Sequence, residues 1–315
     1  MRESGPKTFA EFHGQDNATK QLEISVGFAK KNKVAIDHTI LAGPPGLGKT
    51  TLAHIMANER GTVLSSHIAG EFNRWPIMQA RLVSAWEEYR IKNIFPIILL
   101  DEIHMLSDHV MQMLYSFLED HKLEGESRTR GRFRHFGEQF CTIIGCTTEL
   151  GDLLFPFRQR FPEKVKLELY DDSVLKNILV RRSRDIGLVP CHGGLDLIVG
   201  ASRQTVRIAV DLLNGVNKLI SVENLDSNVN KTKVERVLEM RRIDIFGLTD
   251  EDRRVLLALA EGPKSAQTLS AILGYENDSN IRAEIEPYLI RQGFMERSSR
   301  GRKLTPKGFE YIDNL

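Results

Sequence analysis

Eight residues from Gly43, GPPGLGKT, set three glycines, a lysine and a threonine at the spacing GxxxxGK[ST]. Such a run can cradle a polyphosphate. Glycine lets backbone N–H groups approach phosphate oxygens closely, and a helix that starts there adds the partial positive charge of its N-terminus. Lys49 would reach the outer phosphates and the Thr50 hydroxyl would ligate Mg2+, with Gly43, Gly46, Gly48 and Thr51 completing the candidate nucleotide-binding set. A Gly/Pro-rich surface turn has a similar composition, but the context favours the cradle: the apolar run TILA precedes it and TLAHIMANE, rich in helix formers, follows it.

A second group fits the same chemistry. The run IILL delivers Asp101 and Glu102 to the end of an apolar strand, where Asp101 can hold the metal and Glu102 can polarise an attacking water. An acidic pair alone is often a solvated strand end; with the cradle upstream it points to ATP hydrolysis. Thr147 and Thr148 close a third apolar run, TIIG with CTT after it, so a neighbouring parallel strand would bring a hydroxyl beside the outer phosphate. The stretch FPFRQRFP then sets Arg158 and Arg160 among prolines and phenylalanines, with no carboxylate close by in sequence.

The elements that must position these residues are legible from periodicity. Apolar strands at Thr39–Ala42, Ile97–Leu100 and Thr142–Gly145 alternate with helical patterns, which predicts a parallel sheet covered on both faces and an α/β domain over residues 1–171. From Ser173 the strand signal fades. Val174, Leu175, Ile178 and Leu179 fall at helical spacing, a second helix is expected around Val206–Leu219, and a small helical domain spans 172–241. Over 242–315, Thr249 with acids just after it reads as a capping box. Helical patterns follow at Asp250–Ala260, Ala266–Leu273 and Ser279–Gln292, and then two short extended pieces, the outline of a winged helix.

The 315 residues carry 43 basic and 42 acidic side chains, so whole-chain charge says nothing about nucleic acid. No window approaches the ~18–20 apolar residues that span a bilayer, and no secretory pattern opens the sequence, so a cytoplasmic protein is expected. Cys141, Cys146 and Cys191 lack CxxC spacing, which argues against a zinc site or a disulfide framework.

These stretches, together with TFAEFHGQ, LLDEIHML, SRQTVRIA and EPYLIRQGFMERSSRGR, resemble the AAA+ ATPases, and among them the RuvB-type motors of Holliday junction branch migration, over nearly the whole chain. The resemblance implies a P-loop sheet domain, a helical lid and a C-terminal winged helix. It implies an ATP-driven ring, expected to be a hexamer, acting on four-way DNA in recombination and repair. Arg160 corresponds to the arginine finger offered to a neighbour's ATP, with Arg158 as second choice. A guanidinium suits this task because its planar fork binds phosphoryl oxygens and keeps its charge when partly desolvated. Arg207 matches the lid arginine that senses the nucleotide, and Tyr170 a position lining its pocket. The chain departs from the family at Gln204 and Val206, where Gly and Pro are usual, and at Glu149, where Arg is usual.

Between Phe294 and Gly308 lie Arg297, Arg300, Arg302, Lys303 and Lys307 against one acid, Glu296. Arg297 and Arg302 match DNA-contacting arginines of the family, and Arg300 and Lys303 extend the set; contact with backbone phosphates, without base readout, suits a motor that acts on any sequence. Residues 122–138 correspond to a hairpin that docks on a junction-binding partner protein, but here RTRGRFR gives it four arginines, Arg128 to Arg134. A second function class stays open on these departures: an ATP-gated DNA loader or regulator that does not translocate.

Overall fold

The strands buried on both faces carry the apolar runs, and the strands that pair along one side only do not. In this computed structural model, which describes residues 5–123 and 134–315, the first part of the chain forms strands β1 (Thr39–Ala42), β2 (Leu64–Ile68), β3 (Ile97–Asp101), β4 (Lys122–Leu123), β5 (Arg134–His135), β6 (Thr142–Thr147) and β7 (Glu163–Lys166). Five of them make a parallel sheet in the order β2-β3-β6-β1-β7. β1, β6 and most of β3 are fully buried, as parallel strands between helices must be. The edge strands β2 (LSSHI) and β7 (EKVK) each leave side chains in the open. That is why apolar runs alone did not reveal them.

Helices α1 (Asp16–Asn32), α2 (Lys49–Arg60), α3 (Trp75–Lys92), α4 (Asp108–Asp120) and the short α5 (Phe155–Gln159) pack around this sheet. Trp75, Leu82, Leu114, Phe117, Phe140 and Phe157 fill one core cluster against Ile98, Leu100 and Ile143. β4 and β5 pair antiparallel at the base of the predicted partner-docking hairpin. Arg128, Arg130 and Arg132 themselves lie outside the described residues.

The chain divides into two compact units, one up to Asn177 with Thr205–Arg207, the other Ile178–Gln204 with Ile208–Leu315. In the region of the expected lid lie α6 (Asp172–Asp185), α7 (His192–Ala201), α8 (Val206–Glu223) and α9 (Lys231–Met240), with a short parallel pair, β8 (Val189–Pro190) and β9 (Asn228–Val229). Helix α8 does begin at Val206. Without the glycine usual in the family, Arg203 and Gln204 both adopt left-handed backbone, at φ 53° and 60°, a conformation costing roughly 1–2 kcal/mol per residue.

The winged-helix outline is present. Helices α10 (Asp250–Ala260), α11 (Ala266–Leu273) and α12 (Glu286–Arg291) precede a hairpin of β10 (Met295–Ser298) and β11 (Gly301–Leu304), and α13 (Pro306–Asp313) closes it. Thr249 caps α10 reciprocally with Asp252. Leu256, Leu269, Ile281, Leu289 and Phe294 form a core separate from that of the sheet. A wide π-turn over Ile281–Ile285 leads into α12, where the sequence suggests one continuous helix.

Candidate nucleotide site and nucleic-acid interface

Register brings the first set of candidates to one end of the sheet. Ala42 pairs with Thr147, so β1 and β6 finish side by side, and the Gly43 N–H donates to the Thr147 carbonyl at 3.1 Å. β3 ends one strand further along, at Asp101. Strand β6 runs two residues past the expected Gly145, which is what carries Thr147 to this edge.

The loop from Gly43 turns sharply into α2, which starts at Lys49 and carries Thr50 and Thr51 in its first turn. Gly46 and Gly48 have φ of 81° and 98°, open only to glycine without strain. A Cβ on Gly46 would lie 2.8 Å from the Arg207 side chain, and one on Gly48 would lie 2.9 Å from the Phe12 ring. The Arg207 N–H also donates to the Gly46 carbonyl at 3.3 Å. Arg207 and the phosphate loop are thus in contact.

Lys49 is buried, and its Nζ donates to the carbonyls of Gly43 and Pro44 at 2.6 and 3.0 Å. Burial lowers its pKa; Cys146, Glu102 and Asp101 act in the opposite sense, and Arg207 adds to the lowering. Asp101, Glu102 and Arg207 are thus close enough to Lys49 to act on it electrostatically. The donors suit a polyphosphate: an ammonium bonded, among the described residues, to neutral carbonyls, and the free N–H groups of the α2 start.

One wall of the site comes from the N-terminal segment, whose contribution no motif signals. Besides Phe12, Gly14 fits against Tyr170 and Val174, where a Cβ would lie 2.8 Å from each. The Tyr170 hydroxyl donates to the Leu47 carbonyl at 3.0 Å, and burial pushes its pKa up to about 12. Phe12 and Tyr170 flank the phosphate loop. The two phenylalanines within TFAEFHGQ, Phe9 and Phe12, are the hint the sequence offers.

Glu102 sits in left-handed backbone at φ 51°. Its Oε2 accepts from the Thr148 N–H at 3.2 Å and the Thr148 hydroxyl at 3.1 Å, with His104 Nδ1 3.3 Å away. The same His104 Nδ1 lies 3.0 Å from Thr147 Oγ1, which also accepts from the Glu149 N–H. The Glu149 carboxyl is raised in pKa by its hydrogen bond to Asp152 and stands in the open.

The two arginines of FPFRQRFP lie at the end of α5. Arg158 donates to the Leu150 carbonyl at 3.3 Å and lies over the Phe155 ring. Arg160 rests on the Tyr115 ring, 4.3 Å from its centroid, and donates to the Pro156 carbonyl at 2.7 Å. Its Nε stands 3.1 Å from the Glu119 carboxylate, at an angle that makes an ion pair but no hydrogen bond. The carboxylate missing from the local sequence therefore comes from α4.

Sequence and structure also meet in the wing. Arg297 and Arg302 face each other across β10 and β11, an arrangement of like charges that is unfavourable alone. Glu286, wholly buried on α12, resolves it: Oε2 accepts from Arg302 Nη2 and Nε at 2.8 and 3.2 Å, and Oε1 accepts from Arg297. Arg302 keeps only 12% of its side chain exposed, against 67% for Arg297. Arg300 lies in the two-residue turn at the wing tip and, among the described residues, makes no ion pair. Lys303 pairs with Glu296 at 2.8 Å. Lys307 donates to the Gln292 carbonyl and covers the Phe294 ring, a packing role.

Residues 4–167 match the family model described as the Holliday junction DNA helicase RuvB P-loop domain, and residues 245–313 the RuvB C-terminal winged helix domain. The chain belongs to the RuvB family. The Holliday junction branch migration complex subunit RuvB of Kosmotoga olearia is 36% identical over 314 residues, covering 98% of this chain and 89% of that protein. Its counterpart in Fusobacterium nucleatum is 34% identical over 322 residues, covering 98% and 92%. Among solved structures, the Thermotoga maritima RuvB Holliday junction branch migration motor superposes with a TM-score of 0.84 at 32% identity, covering 98% of each chain. As a RuvB P-loop domain, the first unit is a nucleotide-binding one. No helix among the described residues is long and apolar enough to cross a membrane.

Proposed function

We propose that this RuvB-family chain is an ATP-driven DNA motor that moves the branch point of four-way (Holliday) junctions, working in the cytoplasm as a ring, expected to be a hexamer. The observation that carries the reading is the match to both the P-loop and the winged-helix family models, together with relatives that align over nearly the full chain. Three working parts follow: a nucleotide domain over 1–171, a lid over 172–241 and a DNA-binding winged helix over 242–315.

In the nucleotide domain, Gly43, Gly46, Gly48, Lys49, Thr50 and Thr51 cradle the phosphates, Tyr170 lines the pocket and Arg207 reports the nucleotide to the lid. Thr50 and Asp101 would hold Mg2+, which supplies neutralisation of charge on the phosphate oxygens. Glu102 accepts a proton from the attacking water and the Thr147 hydroxyl orients the outer phosphate. Arg160, and less directly Arg158, finishes a neighbour's site; such fingers contribute about 10³–10⁵ in turnover. The Glu119 partner in the single chain holds that guanidinium in place until a phosphate competes for it. On DNA, Arg297, Arg300 and Lys303 meet backbone phosphates. Arg302, already committed to Glu286, fixes the wing that presents them.

The Arg-rich hairpin at 128–134 and Glu149 favour a second reading, an ATP-gated DNA binder with no translocation, and leave open which partner protein the 122–138 hairpin meets. A labelled synthetic four-way junction separates the two. The motor reading expects junction dissociation with ATP and none with a slowly hydrolysed analogue. Equal DNA binding with both nucleotides, brisk ATP turnover and intact junctions would establish the gate instead.

The shared site has its own test. A Lys49→Ala protein and an Arg160→Ala protein, each inactive alone, should regain a substantial share of ATP turnover when mixed, because some pockets would combine the intact lysine of one chain with the intact arginine of another. No recovery in rings shown to be mixed would remove Arg160 from the neighbour's pocket.

A further inference from the structure

We propose that His104 is a positioning residue for hydrolysis: its imidazole helps clamp one oxygen of Glu102 beside Thr147, leaving the other oxygen to receive the proton of the attacking water. This rests on the reading of the pocket as an ATP-hydrolysing one.

The contacts of Glu102 are one-sided. Oε2 accepts from the Thr148 N–H and the Thr148 hydroxyl at 3.2 and 3.1 Å, and His104 Nδ1 presses on it at 3.3 Å, a close polar contact without hydrogen-bond alignment. Among the described residues, Oε1 receives no hydrogen bond. A carboxylate side chain is long and has several rotatable bonds. Two donors and the close imidazole on one oxygen remove most of that freedom and fix where the other oxygen points.

The tautomer follows from the neighbours. Nδ1 lies between Glu102 Oε2 and Thr147 Oγ1, at 3.3 and 3.0 Å. An ionised carboxylate only accepts, so a bare Nδ1 would set two lone pairs against each other. With the proton on Nδ1, the ring donates to Thr147 Oγ1 and holds the positive end of the same N–H bond beside Glu102 Oε2. Thr147 Oγ1 already accepts from the Glu149 N–H at 3.0 Å. Its own hydroxyl proton then stays available for a phosphate oxygen, so His104 sets the direction of both groups that bracket the reaction.

The support beneath His104 is stiff. It belongs to the one-turn 3-10 segment Ile103–Met105 that follows Glu102 directly. Ile103 is buried against β6 at Gly145, where a Cβ would lie 2.5 Å from the Ile103 Cδ1. Only glycine at 145 admits Ile103 at this depth, and Ile103 holds the turn in place. None of this uses the phosphate loop, so His104 should affect the chemical step and not nucleotide binding.

The test measures steady-state ATP turnover and the affinity for a fluorescent ATP analogue in the full chain. His104→Ala should lower kcat by roughly 30–100-fold, the scale of a misplaced reacting group, with KM and analogue affinity within about threefold of wild type. In His104→Asn the amide nitrogen takes the place of Nδ1, and kcat should return to within about fivefold of wild type. His104→Gln, whose nitrogen lies further out, should not recover. An Ala variant that keeps wild-type kcat overturns the proposal, as does an Ala defect that Asn fails to rescue, or a joint loss of affinity and turnover. Absence of turnover in the wild-type chain would overturn the hydrolysis reading itself, a distinct result.

Discussion

Lys49 in the first unit and Arg297 in the second are each proposed to meet phosphate, but their resting partners differ in charge. Lys49 is buried and gives its hydrogen bonds to two neutral carbonyls of its own loop. Arg297 is largely exposed and shares the buried carboxylate of Glu286 with Arg302. A phosphate arriving at Lys49 displaces neutral dipoles in a water-poor site, where charge attraction is strong. One arriving at Arg297 competes with a fixed carboxylate and with salt. The first arrangement favours a tight hold through a reaction. The second favours contacts that form and release, as stepping along a backbone requires.

The largest effect should come from the cradle. Lys49→Ala should lower ATP turnover by at least ~10²-fold, the scale for losing one preorganised charge contact, while DNA binding by the winged helix changes little. A turnover loss below tenfold would break the contrast, since it would make the buried cation dispensable.

Next in size is the buried carboxylate. Glu286→Gln leaves Arg302 facing no charge inside the wing, and breaking such a pair costs about 3–5 kcal/mol. Denaturant unfolding followed by hydrogen exchange in residues 245–313 should report it. Unchanged protection there would mean that Glu286 does not hold the two arginines together.

Acid sharpens the comparison, because one unit buries a neutral base and the other a charged acid. His38 accepts from the Ile143 N–H at 2.9 Å, and burial, with the charge of His121 second, lowers its pKa from 6.5 to about 3. The unfolded chain takes up a proton as pH falls below 6.5 and the folded one does not until about 3. The stability contributed by the neutral ring is therefore complete above 6.5 and drains away across that window. For Glu286, burial alone would raise the pKa, but the hydrogen bonds and charges of Arg302 and Arg297 outweigh it and the net shift from 4.5 is downward. Its contribution is complete above 4.5 and is lost only as pH falls below that. Between pH 7 and pH 5 the first unit should lose about 2 kcal/mol, an effect that His38→Asn should abolish, while the winged helix holds. Exchange protection in Ile143 and Leu289 at the two pH values distinguishes the units, and a parallel decline in both would contradict the assignment.

The smallest effect belongs to the wing tip. Arg300→Ala should reduce the slope of log affinity for duplex DNA against log salt by about 1, with no change in sequence preference. An unchanged slope would take Arg300 off the backbone.

How much of this the sequence reveals depends on the kind of signal each part leaves. The phosphate loop, the acidic pair and the central strands are written in short local patterns, and glycine at 46 and 48 is demanded by backbone that other residues resist. The edge strands β2 and β7 are half in water, so their composition resembles loop. Phe12 and Gly14 take their meaning from Gly48 and Tyr170, far away in the chain. Glu119 and Glu286 are invisible as partners for the same reason: nothing near Arg160 or Arg302 in sequence announces a carboxylate that arrives from another helix. His104 stands two residues from Glu102, yet only the register of β3 beside β6 shows that it also reaches Thr147.

The central claim is that two phosphate grips divide the work, one converting nucleotide and the other moving DNA. Its most direct test is four-way junction dissociation measured alongside ATP turnover and DNA binding for Glu102→Gln and for the double variant Arg297→Ala/Arg300→Ala. The account predicts that Glu102→Gln binds DNA but neither turns over ATP nor moves junctions, and that the wing variant turns over ATP without moving them. Junction dissociation by Glu102→Gln at the wild-type rate would contradict it.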